Sequence, residues 1–322
     1  MKARIWGSRG SLPVALTERQ IRSKVIQALE RAQGRVLPDR NAIEEFIDNE
    51  LGFEICGTFG GHSSCVEVIA WDSDRLREHV ILDMGTGVRP LAGAKLARYS
   101  AALPQTYHVF ISHLHWDHIM GFPFFTPAYL PGNRIIFYGC HADLEHAFRR
   151  QQEPISFPVS FDQLAADISF VTMVPGVAID INGMRVTAKL QVHAGDSYGY
   201  RIEYEGRSMV YSTDAEHKPE DMEGRAGFVE FFRDADLVIF DAMYSLAESI
   251  SVKADWGHSS NVMGVELCQQ AKVHKLCLFH HEPIHDDAKI ARILRETKRY
   301  AELTGEEPLH ILSAYDGMQI EV

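Results

Sequence analysis

The run Phe110-Ile111-Ser112-His113-Leu114-His115-Trp116-Asp117-His118-Ile119-Met120-Gly121 constrains this 322-residue chain more than any other segment. Three histidines and an aspartate fall within six positions, directly after an apolar stretch that reads as a strand. Two positions apart on extended chain, His113 and His115 project to the same side. Together they can chelate one ion through neutral imidazole. Asp117 and His118 follow the expected turn and can face a second ion beside the first. A strand end gives rigid placement, and the loop after it leaves the open coordination positions that catalysis requires. Imidazole with carboxylate and no thiolate suits Zn²⁺, Mn²⁺ or Fe²⁺ better than a Cys-rich structural site would.

Composition narrows the setting. The chain carries 16 histidines and five cysteines, and 32 basic against 44 acidic residues leave a formal charge of −12. An acidic chain without a basic block is poorly suited to gripping folded nucleic acid over a wide surface. No apolar run reaches the roughly 18 residues a membrane span needs. The segment Met1–Arg9 lacks the apolar core of a signal peptide. Cys56, Cys65, Cys140, Cys268 and Cys277 form no C-x-x-C pair, which favours a reducing, cytoplasmic compartment. Cys268 and Cys277, in apolar surroundings, read as small buried hydrophobes.

Strand-like runs alternate with helical patterns along the chain. The strands are expected at Lys2–Trp6, Cys65–Trp71, Val80–Leu82, His108–Ser112, Arg134–Tyr138, Val177–Ile181, Met184–Val192, Tyr200–Tyr204, Met209–Ser212, Leu237–Phe240, Lys275–Phe279 and Leu309–Leu312. Asn182-Gly183 and Glu205-Gly206 read as hairpin turns. Helices are expected over Thr17–Gln33, Asn41–Leu51, Ala142–Gln152, Ser259–Val273 and Asp286–Leu303. In the first of these, Ile21, Val25, Ile26 and Leu29 share a face. The mixture favours an α/β layered fold. Length alone predicts two units of about 150 residues, which without a linker reads as two similar halves of one domain spanning 1–322. Residues of about 15–55 then form a helical insertion, a lid or a homodimer surface.

His113-x-His115-x-Asp117-His118 resembles the H-x-H-x-D-H signature of the metallo-β-lactamase superfamily, and further pieces follow in that family's order. His193 in Val192-His193-Ala194-Gly195 resembles its third ligand to the first metal. Asp214 in Tyr211-Ser212-Thr213-Asp214 resembles the carboxylate bridging both ions. Asp241-Ala242-Met243-Tyr244, Trp256-Gly257-His258-Ser259-Ser260 and Leu278-Phe279-His280-His281-Glu282-Pro283 resemble the C-terminal half of the ribonuclease Z-like branch, which also contains cyclic-phosphate phosphodiesterases. Gly60-Gly61-His62-Ser63-Ser64-Cys65 and Leu82-Asp83-Met84-Gly85-Thr86-Gly87 resemble its N-terminal strands and turns.

The resemblance implies a four-layer αββα sandwich and two divalent cations, zinc first and manganese or iron as alternatives. The first ion would take His113, His115 and His193. The second would take Asp117, His118 and His280, with Asp214 shared. His280 is preferred to His281 because it directly follows a strand run; His281 is the alternative. Asp83 is expected to orient a histidine. His258, before a helix start, is expected near the scissile phosphate. His62 departs from the family's asparagine. His285, Asp286 and Asp287 orient the His280 loop or cap the helix after it. His79, His108, His141, His146, His217, His274 and His310 read as packing or surface residues.

The implied activity is hydrolysis of a phosphodiester in a small cyclic phosphate or nucleotide through a metal-bridged hydroxide, with Asp117 and His258 catalytic. A local patch at Arg149 and Arg150 could hold an anion. Lactone, thioester or β-lactam hydrolysis is the enzymatic alternative, and a metal-bound sensor the non-enzymatic one. A di-iron oxygen-reducing protein is disfavoured, because the resembling family there has Glu where this chain has His115.

Overall fold

The computed structural model describes every residue except 71–76, 100–102, 219–220, 246–255 and 306. Trp71, the expected end of the second strand, therefore lies outside the described residues.

Fourteen described strands form two seven-stranded sheets. The first sheet contains β1 (Lys2–Gly7), β2 (Cys65–Ile69), β3 (Glu78–Leu82), β4 (Thr106–Phe110), β5 (Arg134–Gly139), β6 (Asp167–Thr172) and β14 (Gln319–Glu321). Its order is β14-β1-β2-β3-β4-β5-β6. The second contains β7 (Ile179–Ile181), β8 (Met184–Gln191), β9 (Ser197–Tyr204), β10 (Arg207–Ser212), β11 (Leu237–Asp241), β12 (Lys275–Phe279) and β13 (His310–Ser313). It runs β13-β12-β11-β10-β9-β8-β7. From β14, the first sheet is antiparallel to β3 and parallel from there to β6. From β7, the second is antiparallel to β10 and parallel from there to β13. The two sheets thus repeat one pattern.

Alternating side chains explain the layers. Ile5, Val66, Leu82 and Phe110 from one sheet meet Val186, Tyr200, Met209 and Ile239 from the other in a shared core. Their neighbours in sequence point outward, as a period of two demands. Val109, Ile135 and Phe137 pack under α4 (Val88–Arg98), α5 (Trp116–Ile119) and α6 (Leu144–Gln151). Val210, Val238 and Leu276 pack under α7 (Met222–Phe232), α8 (Asn261–Gln270) and α9 (Asp287–Thr304). This is the expected αββα sandwich. Both expected hairpins form: Asn182 and Gly183 have φ of 51° and 82°, Glu205 and Gly206 49° and 74°. Two successive left-handed residues match the twist of the strands they join.

Between β1 and β2 lie α1 (Glu18–Ala32), α2 (Arg40–Glu50) and α3 (Phe53–Cys56). Thr17 closes a capping box with Gln20. The apolar face of α1 is exposed at Ile21, Val25, Ile26 and Leu29. The segment is tied down instead through Lys24, whose Nζ donates to Glu54 O (2.5 Å) and Gly57 O (2.7 Å) and pairs with Asp287 at 2.6 Å. No helix among the described residues is long and apolar enough to cross a membrane.

Two buried histidines outside the expected ligand set put an acid limit on this fold. Burial, with Lys95 nearby, lowers the pKa of His79 to about 4. Burial likewise lowers His217 to about 4, against the pull of Asp241. Both stay neutral in the folded chain, whereas each would titrate near 6.5 once unfolded. Below that value the unfolded chain takes up protons that the folded one refuses, so stability falls with falling pH. The loss develops between about pH 6.5 and 4 and is worth roughly 3 kcal/mol per histidine when complete. Urea midpoints at pH 7 and pH 5 check this: the pH 5 midpoint is expected to be clearly lower, and an equal or higher one would contradict it.

Candidate metal centre

Strand ends build the site. Asp83 follows β3, His113–His118 follow β4, His193 follows β8, Asp214 follows β10, Asp241 ends β11 and His280 follows β12. In open α/β sheets such carboxyl ends are where ligands bind. Three of these residues sit in left-handed backbone: Asp83 (φ 60°), Asp214 (φ 34°) and His280 (φ 61°). That sharp turn swings each side chain off its sheet.

β4 ends two residues earlier than expected. The Ser112 N–H and hydroxyl donate to Asp83 at 2.7 Å each, which pulls Ser112 out of the ladder. His113 and His115 therefore come from the loop, and Asp117 and His118 from α5.

Among the described residues, the side chains gather into three groups of donor atoms, of which two adjoin through Asp214 and the third joins Asp241 and His258 to His280. Of the adjoining two, His113, His115, His193 and Asp214 form one; Asp117, His118, Asp214 and His280 form the other. In the first, Asp214 Oδ2 lies 3.5 Å from His113 Nε2 and 3.8 Å from His193 Nε2, and His193 Nε2 lies 3.2 Å from His115 Nδ1. In the second, Asp214 Oδ1 lies 3.1 Å from both His118 Nε2 and His280 Nε2. Asp117 Oδ2 is 3.2 Å from the same two nitrogens, which are 3.3 Å apart. Asp214 thus turns one oxygen to each set.

Hydrogen bonds behind the rings fix which nitrogen faces inward. His118 Nδ1–H donates to Asp83 at 2.7 Å, and His193 Nδ1–H to Gly257 O at 2.8 Å. Ser112 Oγ, already donating to Asp83, accepts from His113 Nδ1–H at 3.1 Å. The three Nε2 lone pairs are left converging on the carboxylates. His113 Nε2 is buried without any hydrogen-bond partner, a costly state for a polar atom unless a cation takes the lone pair. Converging ring nitrogens, one of them unpartnered, beside two carboxylates fit divalent cations.

Charge is shared across the cluster: burial opposes a proton on His118, yet Asp214, Asp117 and Asp83 raise its pKa well above the ordinary value. Burial pushes His113 well below its ordinary pKa, and the neighbouring His118 pushes it further. Burial alone would raise Asp117 and Asp214, but the imidazoles of His118 and His280 hold both well below the usual carboxylate range.

His258 stands beside these sets, stacked on His280 with ring centroids 5.1 Å apart. Its Nδ1–H donates to Asp241 at 2.9 Å. Burial opposes a charge there, yet Asp241, followed by Asp214 and Asp117, raises the His258 pKa to about 9. The residue rests on the ligand sets and Asp241, while the Ser260 side chain caps α8.

The remaining expectations separate cleanly. His281 Nε2–H donates to Ala314 O at 2.9 Å, and burial lowers its pKa to about 3, so it is turned away from the sets. His62 approaches Thr86 Oγ1 at 3.2 Å. Asp286 caps α9, Asp287 accepts from Phe59 N–H at 2.8 Å, and His285 O accepts from buried Arg9. Arg149 is engaged by Glu145 and Asp162, at 2.8 and 2.6 Å, and is not an open anion site.

Sequence reasoning missed Asp241 as the partner of His258; an aspartate ending a buried strand was the available signal. It also missed Tyr211, whose hydroxyl donates to Asp83 at 2.8 Å, and the N-terminal turn. There Ser11 N–H donates to Asp117 at 2.8 Å. Gly10 lies so close to His280 that a Cβ would sit 2.5 Å from its ring.

Similar proteins share this architecture. A ribonuclease Z of Oceanobacillus iheyensis is 21% identical over 241 residues, which are 59% of this chain and 76% of that one. The metallo-beta-lactamase fold protein YhfI from Bacillus subtilis superposes with a TM-score of 0.64 at 15% identity, covering 100% of this chain and 98% of its own. A diphosphatase of the PhnP family gives 0.60 at 19% identity, covering 100% and 97%. Residues 78–281 match the family described as beta-lactamase superfamily domain, so the chain belongs to the beta-lactamase superfamily and is a metal-dependent hydrolase of the metallo-β-lactamase fold.

Proposed function

We propose that this hydrolase is a dinuclear phosphodiesterase acting on a small cyclic phosphate or nucleotide. The observation that carries the reading is the division of Asp214, with one oxygen toward His113 and His193 and the other toward His118 and His280. The first ion would be held by His113, His115 and His193, the second by Asp117, His118 and His280, with Asp214 shared. Such a pair, zinc or else manganese or iron, would supply an activated water and screen charge on phosphoryl oxygens.

The side chains account for the remaining steps. Asp83 holds His118, and Gly257 O holds His193, with Nε2 inward, so the phosphate meets preset geometry. Asp117, ionised and fixed by Ser11 N–H, accepts the proton of the attacking water. Asp241 keeps the Nδ1 proton of His258, so that Nε2–H faces outward. As the new P–O bond forms and the old one breaks, that second proton passes to the departing oxygen.

The names of the relatives, ribonuclease Z and a diphosphatase, fit phosphoester chemistry. The net charge of −12 fits a small anion better than folded RNA. Free Cys65, Cys268 and Cys277, all buried, fit a reducing cytoplasmic setting.

Protein reconstituted with Zn²⁺ or Mn²⁺, its metal content measured, should be screened against bis-p-nitrophenyl phosphate, cyclic nucleotides, a lactone and a β-lactam. Phosphodiester turnover exceeding that of the other classes by at least about tenfold is expected, a margin of roughly 1.4 kcal/mol in barrier. A loaded protein that turns over none of them would replace this reading with the sensor; faster lactone hydrolysis would replace it with the alternative enzyme.

A further inference from the structure

A cavity of about 820 Å³ adjoins the loop that carries the ligands. That lies within the ~300–1,000 Å³ typical of small-molecule sites. Leu114 and Trp116, which alternate with His113, His115 and Asp117, form one wall. The Trp116 side chain is 78% exposed and makes no ring contact or hydrogen bond with a described residue. Tryptophan is a highly buried residue on average, so an open indole one position from two ligand candidates is a costly arrangement for folding alone.

Phe124, 58% exposed, and Phe157 also line the cavity, packed edge-on against each other with centroids 5.5 Å apart. α6 contributes His146 and Arg150, four residues apart and so on one face, together with Gln151. Arg149 next door is bound by two carboxylates, but Arg150 has no ion pair with a described residue. Asp143 is the acidic residue of the lining. The cavity therefore combines flat aromatic surface, an available guanidinium and polar hydrogen-bonding groups. A bare phosphate or a purely aliphatic ester would leave the aromatic wall wet.

We propose that this cavity is the nucleoside subsite: the base of a nucleotide phosphodiester stacks on Trp116 against Phe124 and Phe157, with Arg150 and Gln151 reading its polar edge. It rests on the phosphodiesterase reading and narrows it to substrates carrying a flat heteroaromatic group. Base-aromatic stacking is lost by about 5- to 150-fold on alanine substitution, equivalent to ~1–3 kcal/mol.

Two esters with one leaving group test this: thymidine 5′-p-nitrophenyl phosphate and methyl p-nitrophenyl phosphate. The reading is the ratio of their kcat/KM values. Wild-type protein is expected to favour the nucleoside ester more than tenfold, mainly through KM. Trp116→Ala should collapse the ratio toward one, and Trp116→Phe should keep most of it. Arg150→Ala should lower it without altering the fold. An equal ratio in wild type, or one unchanged in Trp116→Ala, overturns the subsite. Saturation-transfer NMR on AMP with metal-free protein separates this from failure of the activity itself. Base protons should receive saturation from wild-type protein and not from Trp116→Ala. That result with no turnover of either ester upholds the subsite while the phosphodiesterase reading falls. Turnover of both esters with no base contact does the reverse.

Discussion

Asp214→Ala protein will bind metal at well below the wild-type stoichiometry and lose phosphodiester turnover by far more than 100-fold. The expectation follows from the shared carboxylate. Every donor set in which Asp214 takes part loses an oxygen at about 3.1–3.8 Å from the histidine nitrogens, so on the proposed dinuclear reading neither ion would keep its full complement. Asp83→Asn supplies the comparison. Asp83 touches His118 from behind and accepts from Ser112 and Tyr211 as well. Removal of such an outer partner costs about 10- to 100-fold in affinity or activity. Metal analysis by mass spectrometry beside turnover of bis-p-nitrophenyl phosphate, with circular dichroism to confirm folding, makes the comparison. Full metal loading of the Asp214 variant would refute the shared role; equal losses in both variants would remove the distinction between holding a metal and orienting its ligand.

His258→Ala protein is expected to be crippled in proportion to how badly its substrate needs a proton. With an alkoxide leaving group, as in a cyclic nucleotide, the loss should fall in the ~10²–10⁴ range of a positioned general acid. With p-nitrophenolate, which departs unaided, it should be much smaller. Metal content should match wild type, since His258 belongs to neither set joined by Asp214; a lower content would instead assign it to the third group, with Asp241 and His280. A loss independent of the leaving group would assign His258 to phosphate binding instead. Asp241→Asn should reproduce the leaving-group dependence more weakly, because the amide oxygen can still accept the His258 Nδ1 proton while the carboxylate charge that raises the His258 pKa is gone.

The chain announces its site unevenly, for physical reasons. His113, His115, Asp117 and His118 are legible because four donors crowd six positions beside an apolar run. His193, Asp214 and His280 are solitary residues at strand ends. Only resemblance to a known family singled them out, since nothing local separates a ligand histidine from a packed one such as His79 or His217. Asp241, Ser112 and Tyr211 act across distances of 17 to 128 residues along the chain, which no local pattern encodes. The sheet strands with alternating or continuous apolar residues were readable. β6 was not, because its residues are only partly buried. α4 carries Pro90 and Gly93, and α7 carries Gly224 and Gly227, which blur helical spacing. The pattern on α1 is amphipathic, yet the structure leaves its apolar face in solvent.

The order in which these strands leave the ribosome has a bearing on the protein's life before its first turnover. β1 pairs with β14, so the earliest strand waits for one of the last. Contacts so distant along a chain are slow to form and leave unpaired edges in the interim. The donors split along the same line: His113, His115, His193 and Asp214 have all been synthesised well before His280, which closes the second set. A nascent chain can therefore gather its first four donors while the other pocket still lacks a wall. On the proposed two-cation reading, the first position would be open to a cation before the last stage of folding completes the second.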